Sequence, residues 1–196
     1  MSALDDAAAA LADGALVVIP TDTVYGLAAR PDDPSATGRL FEAKGRPRQL
    51  ELPILVANAN QAERVARLDD RARVLGERFW PGALTLVLPR TPEARNWDLG
   101  GDPDTVGVRI PDHPLALALL ETTGPLAVTS ANPSGVPPLR DAGSLVAAFG
   151  DRVAIYLCEE ASLAGVASTV VDLAHGEPEV LREGAVTSAE IASELT

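Results

Sequence analysis

The chain contains one lysine, Lys44, and it stands in the string Lys44-Gly45-Arg46-Pro47 with Arg48 directly behind. An ammonium is a compact point charge with three donors, whereas a guanidinium is a planar fork that meets a carboxylate or phosphate at two points. One of each, two residues apart beside a glycine and a proline, predicts a loop that receives a multiply charged anion such as a polyphosphate. On a loop, Lys44 is expected to lie outside the core, so that truncating it leaves no cavity. A solvated loop with chance charges would read the same, and other segments have to decide.

Three further segments carry comparable chemistry. Pro20-Thr21-Asp22-Thr23-Val24-Tyr25-Gly26-Leu27 offers two threonine hydroxyls, a phenol and a glycine that lets backbone approach closely. A polar strand-to-helix turn with Asp22 as its cap is the plainer account of this string. In Thr105-Val106-Gly107-Val108-Arg109-Ile110, period-two alternation puts Thr105, Gly107 and Arg109 on one face and the apolar residues on the other. A guanidinium aligned with a hydroxyl and a glycine suits an anion, although a solvated strand face would also carry it. Finally, Ala127-Val128-Thr129-Ser130-Ala131-Asn132-Pro133-Ser134-Gly135 runs from an apolar strand into a turn dense in small donors, a common way to cradle phosphate oxygens. A turn whose side chains satisfy themselves is the alternative.

Elements that could position these segments follow from the pattern around them. Ser2 with Asp5 forms a capping box for a helix over Leu4–Asp13 that Gly14 stops. Ala15–Ile19 reads as a buried strand, and Asp33 before Pro34 opens a helix to about Ala43. Strand-like runs recur at Ile54–Val56, Ala83–Leu88, Val106–Ile110, Leu126–Val128, Val153–Leu157, Thr169–Leu173 and Val180–Leu181. Helical runs lie between them at Gln61–Leu68, Ala72–Phe79, Leu115–Thr122, Ser144–Phe149 and Ser188–Leu195, the last behind a Thr187/Glu190 capping box. The alternation predicts an α/β fold, a twisted open mixed sheet flanked by helices, in one domain over residues 1–196.

Composition narrows the function classes. An apolar fraction of 46% and a charged fraction of 22% are those of an ordinary globular protein. No apolar run reaches the roughly 18 residues of a membrane helix, and the N-terminus carries acids where an export signal carries bases. With one cysteine, Cys158, no internal disulfide can form, and a cytoplasmic location is expected. The net charge of −12 is uneven: residues 30–109 carry +1, whereas residues 110–196 carry −9. That distribution argues for a focused anion site and against a nucleic-acid-coating surface. Neither a G-x-x-x-x-G-K-[ST] loop, a G-x-G-x-x-G turn, an H-E-x-x-H helix nor a G-x-S-x-G elbow occurs, and His113 and His175 are isolated.

Taken in order, PTDTVYGLA at 20–28, KGRP at 44–47, FWPGALTLVL at 79–88, TVGVRIPDHP at 105–114, PLAVTSANPSG at 125–135, STVVDL at 168–173 and LREGA at 181–185 resemble the YrdC-like threonylcarbamoyl-AMP synthase family. The resemblance covers residues 14–185, and its most specific part is the pairing of Lys-x-Arg with Ser-x-Asn. It implies an enzyme joining L-threonine, bicarbonate and ATP, with Mg²⁺ as cofactor, into threonylcarbamoyl-AMP and diphosphate. The product would feed threonylcarbamoyladenosine modification of tRNA through a separate transferase complex. Carried over by position, Lys44, Arg46, Ser130 and Asn132 would be catalytic. Together with Thr105, Val128 and Arg182 they would bind ATP. Arg109 would clamp the threonine carboxylate, with Thr23 and Ser168 contacting the amino acid and Tyr25 shaping its pocket. No protein side chain is expected as a firm metal ligand.

Two departures from the family pattern bear on ATP. Leu50 stands where some members place a contacting asparagine, and Pro138 where longer members place a serine. The extra C-terminal domain of the longer members is expected to be absent, leaving a standalone short form. A catalytically quiet paralogue that binds RNA or a nucleotide in the same concavity is the alternative. The acidic C-terminal half predicts weak direct tRNA binding at best.

Overall fold

A computed structural model describes residues 2–159 and 165–196. The elements run α1 (Ala3–Ala12), β1 (Val17–Ile19), β2 (Gly26–Ala29), α2 (Pro34–Lys44), β3 (Ile54–Leu55), α3 (Ala59–Val65), α4 (Asp70–Phe79), β4 (Leu84–Pro89) and β5 (Thr105–Arg109). They continue with α5 (Pro114–Thr123), β6 (Leu126–Ser130), α6 (Ala142–Phe149), β7 (Ile155–Tyr156), β8 (Thr169–Asp172), β9 (Glu179–Arg182) and α7 (Ser188–Glu194). The strands form one open mixed sheet in the order β7-β1-β2-β6-β3-β5-β4-β8-β9. Parallel pairs at β1/β7, β3/β5 and β4/β8 are interleaved with antiparallel ones.

Helix boundaries obey their caps. Ser2 and Asp5 close the expected box on α1, and Thr187 and Glu190 close another on α7. Asp33 accepts from the Ser35 amide ahead of Pro34, and α2 ends on Gly45 in the left-handed region at φ 62°. That helix runs one residue further than its sequence suggests. Lys44 is therefore its last residue and not a loop residue. The Pro20–Leu27 segment departs too: it leads into β2, antiparallel to β1 with Ile19 opposite Gly26, and not into a helix. Gly-Leu-Ala-Ala lacks the β-branched and aromatic residues that signal a strand. Gly26 is required there because a Cβ would lie 2.5 Å from Val128 Cγ1 of the neighbouring strand.

The two faces of the sheet are covered unequally, and this creates the site. One core holds Leu40 and Phe41 of α2, Val65 of α3, Leu75 of α4, Phe149 of α6 and Ile191 of α7. These pack on Val18, Leu27, Ile54, Ala127, Leu84, Leu86, Val106 and Val108. The other core holds Ala7 and Leu11 of α1 and Leu119 and Leu120 of α5, on Val17, Ile19, Ala28, Leu55, Leu126 and Val128. No residue of β4, β5 or β8 belongs to this second core. Where helices stop covering that face, the strands show Thr85, Gly107 and Arg109, the polar side of the alternation.

Candidate active site

A cavity of about 270 Å³ opens on the uncovered part of this face. Its walls come from the Thr21–Gly26 segment, from Pro53 and Leu55, from Thr85 on β4, from Arg109 on β5, and from Val128 to Asn132. Pro138, Ala167, Ser168 and Arg182 complete it. Gly107 forms part of the floor support: a Cβ there would press on Thr85 Cγ2 at 3.3 Å and Pro53 Cβ at 3.4 Å.

Three guanidiniums reach this space, those of Arg46, Arg109 and Arg182. Backbone carbonyls aim two of them. Arg46 donates from Nε to Leu50 O (3.0 Å) and from Nη2 to Glu51 O (2.7 Å). Arg182 donates from Nε and Nη2 to Ser168 O (3.1 and 2.7 Å) and from Nη2 to Ser168 Oγ (3.2 Å). Burial pushes both pKa values down, and the Arg182 charge pushes Arg46 down further. Such mutually repelling cations, aimed by neutral partners, leave a net positive potential for an anion to neutralise.

Arg109 is held differently. Its Nη2 donates to Asp22 Oδ1 at 2.6 Å, its Nη1 to Thr23 Oγ1 at 2.9 Å and its Nε to Gly82 O at 2.8 Å. Arg109 is buried and ion-paired rather than solvated, and it still borders the cavity. Thr23 Oγ1 in turn meets Thr21 Oγ1 (2.9 Å), and Ser168 Oγ meets Thr85 Oγ1 (2.9 Å). One hydroxyl pair thus lies beside Arg109 and the other beside Arg182.

Lys44 lies behind the cavity wall. Its three N–H groups are shared among four oxygens, Ser130 O (2.6 Å), Ser130 Oγ (3.1 Å), Asn132 O (3.0 Å) and Asn132 Oδ1 (3.0 Å). Its backbone carbonyl receives the Ser134 amide at 2.8 Å. The end of α2 and the Ser-x-Asn turn are therefore laced together, 86 residues apart in sequence. Burial, with Arg46 nearby, lowers the Lys44 pKa to about 8. The expectation that its truncation leaves the interior untouched does not survive this geometry: Lys44 is 5% exposed and satisfies buried oxygens.

The sequence-derived site residues are thus partly gathered. Thr23, Arg46, Arg109, Val128, Ser130, Asn132, Ser168 and Arg182 border the cavity, and Lys44 touches two of them from behind. Tyr25 and Thr105 do not border it. Tyr25 turns into the core and its hydroxyl meets Glu159 N (3.1 Å) and Glu159 O (3.3 Å). Thr105 sits at the far end of β5, where its carbonyl receives Arg90 Nε at 2.5 Å. Of the two departures, Pro138 borders the cavity, whereas Leu50 is half exposed and does not. Asp22, Thr85 and Glu51 were not singled out for this site. Each acts through a partner distant in sequence, and no local pattern marks them. Glu51 pairs with the buried Arg90 at 2.9 Å, yet burial raises its pKa to about 7.

Comparison with known proteins gives the family and the fold. The Sua5/YciO/YrdC family model, described as telomere recombination, matches residues 9–184. A Mycobacterium tuberculosis protein provisionally assigned as a threonylcarbamoyl-AMP synthase is 46% identical over 190 residues, covering 96% of this chain and 87% of its own. The Bacillus subtilis threonylcarbamoyl-AMP synthase is 40% identical over 187 residues, 94% of this chain and 54% of its own. Among solved structures, Pyrococcus abyssi Sua5 complexed with L-threonine superposes with a TM-score of 0.88 at 38% identity, covering 98% of this chain and 57% of that one. E. coli YciO gives 0.86 at 26% identity, with 96% and 92% covered. The chain therefore spans little more than half of the longer relatives and most of the shorter ones. A family model that matches residues 9–184, with relatives 40% and 46% identical over nearly the whole chain, means that the chain belongs to the Sua5/YciO/YrdC family.

Proposed function

We propose that this chain is a threonylcarbamoyl-AMP synthase, which joins L-threonine, bicarbonate and ATP into threonylcarbamoyl-AMP and releases diphosphate and water. The observation that carries the reading is that one cavity holds two differently balanced guanidiniums, Arg46 and Arg109, with the Arg182 charge bearing on both. At one end Arg46 and Arg182 are aimed by neutral carbonyls and lack a bonded carboxylate among the described residues, which suits polyphosphate. At the other, Arg109 sits beside the paired Thr23 and Thr21 hydroxyls with its charge already matched by Asp22, which suits a small hydroxylated amino acid.

In this reading the threonine amine adds to bicarbonate with loss of water, and a carbamate oxygen attacks the α-phosphorus. The bond to the bridging oxygen breaks and diphosphate leaves. Arg46 and Arg182 neutralise the charge that grows on the leaving group. Lys44 holds Ser130 and Asn132 in place from behind the wall and adds its charge to the field at the phosphates. No covalent enzyme intermediate is required, since positioning and charge neutralisation suffice.

Mg²⁺ is the expected companion of ATP. It would supply charge neutralisation on the phosphates, and because Ser130 Oγ and Asn132 Oδ1 already accept from Lys44 Nζ, phosphate and water oxygens would be its ligands rather than these side chains. Thr105 and Tyr25 support the site from behind in this reading. The product would pass to a separate tRNA-modifying transferase in the cytoplasm, and direct tRNA binding would be weak. None of the described helices is long and apolar enough to cross a membrane. The test is threonine-dependent diphosphate release with ATP, Mg²⁺ and bicarbonate. Release that ignores threonine would sink the proposal and favour the quiet nucleotide-binding alternative.

A further inference from the structure

We propose that Asp22 is a positioning and specificity-determining residue: it orients Arg109 and cancels its charge, so that this end of the cavity accepts a singly charged carboxylate and rejects polyphosphate. The inference deepens the synthase reading and rests on it.

Three guanidiniums border one small cavity, and by themselves they would form a continuous anion trough. Of the three, only Arg109 is bonded to a carboxylate among the described residues. Its pair with Asp22 is largely shielded, with side chains 7% and 17% exposed, so water screens it little. Asp22 Oδ1 also receives the Asp112 amide at 3.0 Å, three residues beyond Arg109. The carboxylate thereby ties the end of β5 and the turn after it to the segment following β1. With Thr23 and Gly82 it takes up three of the five guanidinium donors. Two donors remain, a match for the two oxygens of one carboxylate. A diphosphate arriving here would meet the Asp22 carboxylate at close range, a repulsion absent beside Arg46, which has no bonded carboxylate among the described residues. Like-charge juxtaposition of this kind is how a site turns away the wrong ligand.

Asp22→Asn keeps the size and an accepting oxygen but removes the charge. Calorimetric titrations of threonine, ATP and diphosphate, singly and in pairs, read the consequence. In the unsubstituted chain threonine and diphosphate are expected to bind without competing. In Asp22→Asn, threonine affinity falls on the order of tenfold, ATP affinity stays within about twofold, and diphosphate now competes with threonine. A general folding defect would lower ATP and threonine affinity together, and Asp22→Glu, which restores the charge, should then recover threonine binding and exclusion of diphosphate. If Asp22→Asn binds threonine as the unsubstituted chain does, or diphosphate still does not compete, or Asp22→Glu recovers nothing after a joint loss, the inference is overturned. An unsubstituted chain that binds no threonine overturns the synthase reading and this inference with it.

Discussion

Lys44 and Arg109 are both cations withdrawn from water at one cavity, yet their surroundings differ in kind. Lys44 is enclosed by four neutral oxygens from Ser130 and Asn132 and carries an unmatched charge, and its pKa drops to about 8. Arg109 faces a carboxylate at 2.6 Å and two neutral oxygens, so its charge is matched before any ligand arrives. Hydrogen bonds can fix a cation's position without settling its charge. A site that must gather polyphosphate gains from the first arrangement, and one that must select a single carboxylate gains from the second.

The largest break in this comparison should come from Lys44→Ala. Loss of a preorganised charge at a developing anion costs about 3–4 kcal/mol of activation free energy, so diphosphate release should nearly vanish. Because buried acceptors lose their donor, stability should also fall, by about 1–3 kcal/mol, visible in a denaturant melt. An unchanged midpoint would mean that water replaces the ammonium and that the lacing of α2 to the Ser-x-Asn turn is incidental.

Next in size is Arg109→Lys, which keeps the charge and loses the fork. Threonine binding should weaken by about 1.5–3 kcal/mol while ATP binding holds, both measured by calorimetry. Should ATP affinity collapse and threonine affinity persist, the two ends of the cavity have been assigned the wrong way round.

A smaller effect sharpens the contrast in pH. ATP affinity should fall as pH rises through about 8, where ligand-free Lys44 loses its proton. ATP binding above that pH should therefore take up a proton, detectable by titration in buffers of different ionisation enthalpy. Lys44→Arg should remove the dependence, since a guanidinium does not titrate in this range. Stability has the opposite sign. The folded pKa lies below the ordinary 10.5, so between about pH 8 and 10.5 the unfolded chain binds more protons and Lys44 adds stability as pH rises. The penalty for keeping it charged is present in full below pH 8.

The smallest effect is expected with tRNA. Positive charge is focal at the cavity, and residues 110–196 carry −9, so binding should be weak and decline steeply with salt in a filter-binding assay. Tight binding of unmodified tRNA at physiological salt would mean that the cavity's arginines belong to a wider nucleic-acid surface.

How much of this could be read from the chain depends on whether the cause was local. The capping boxes of α1 and α7, the Asp33-Pro34 start of α2 and the alternation in β5 are set by neighbours within a few residues, and each is found where the sequence puts it. β2 escaped because Gly26 is there to admit Val128 from another strand, a reason invisible in Gly-Leu-Ala-Ala itself. Lys44 was legible as special but not as buried: its oxygens come from a turn 86 residues away. Asp22 has the form of a turn cap in sequence, and its partner Arg109 lies 87 residues further on.

Those long spans also tie ligand occupancy to the whole sheet. Each end of the cavity exists only when β5 lies beside β4 and β3, and when β6 lies beside β2, so no partial structure can present it. A substrate that binds only the assembled sheet stabilises it by mass action, by about 2.7 kcal/mol at a hundred times its dissociation constant. Threonine alone should then raise the melting temperature of the entire domain. A thermal-shift series across amino acids becomes a direct readout of selectivity, with no turnover required.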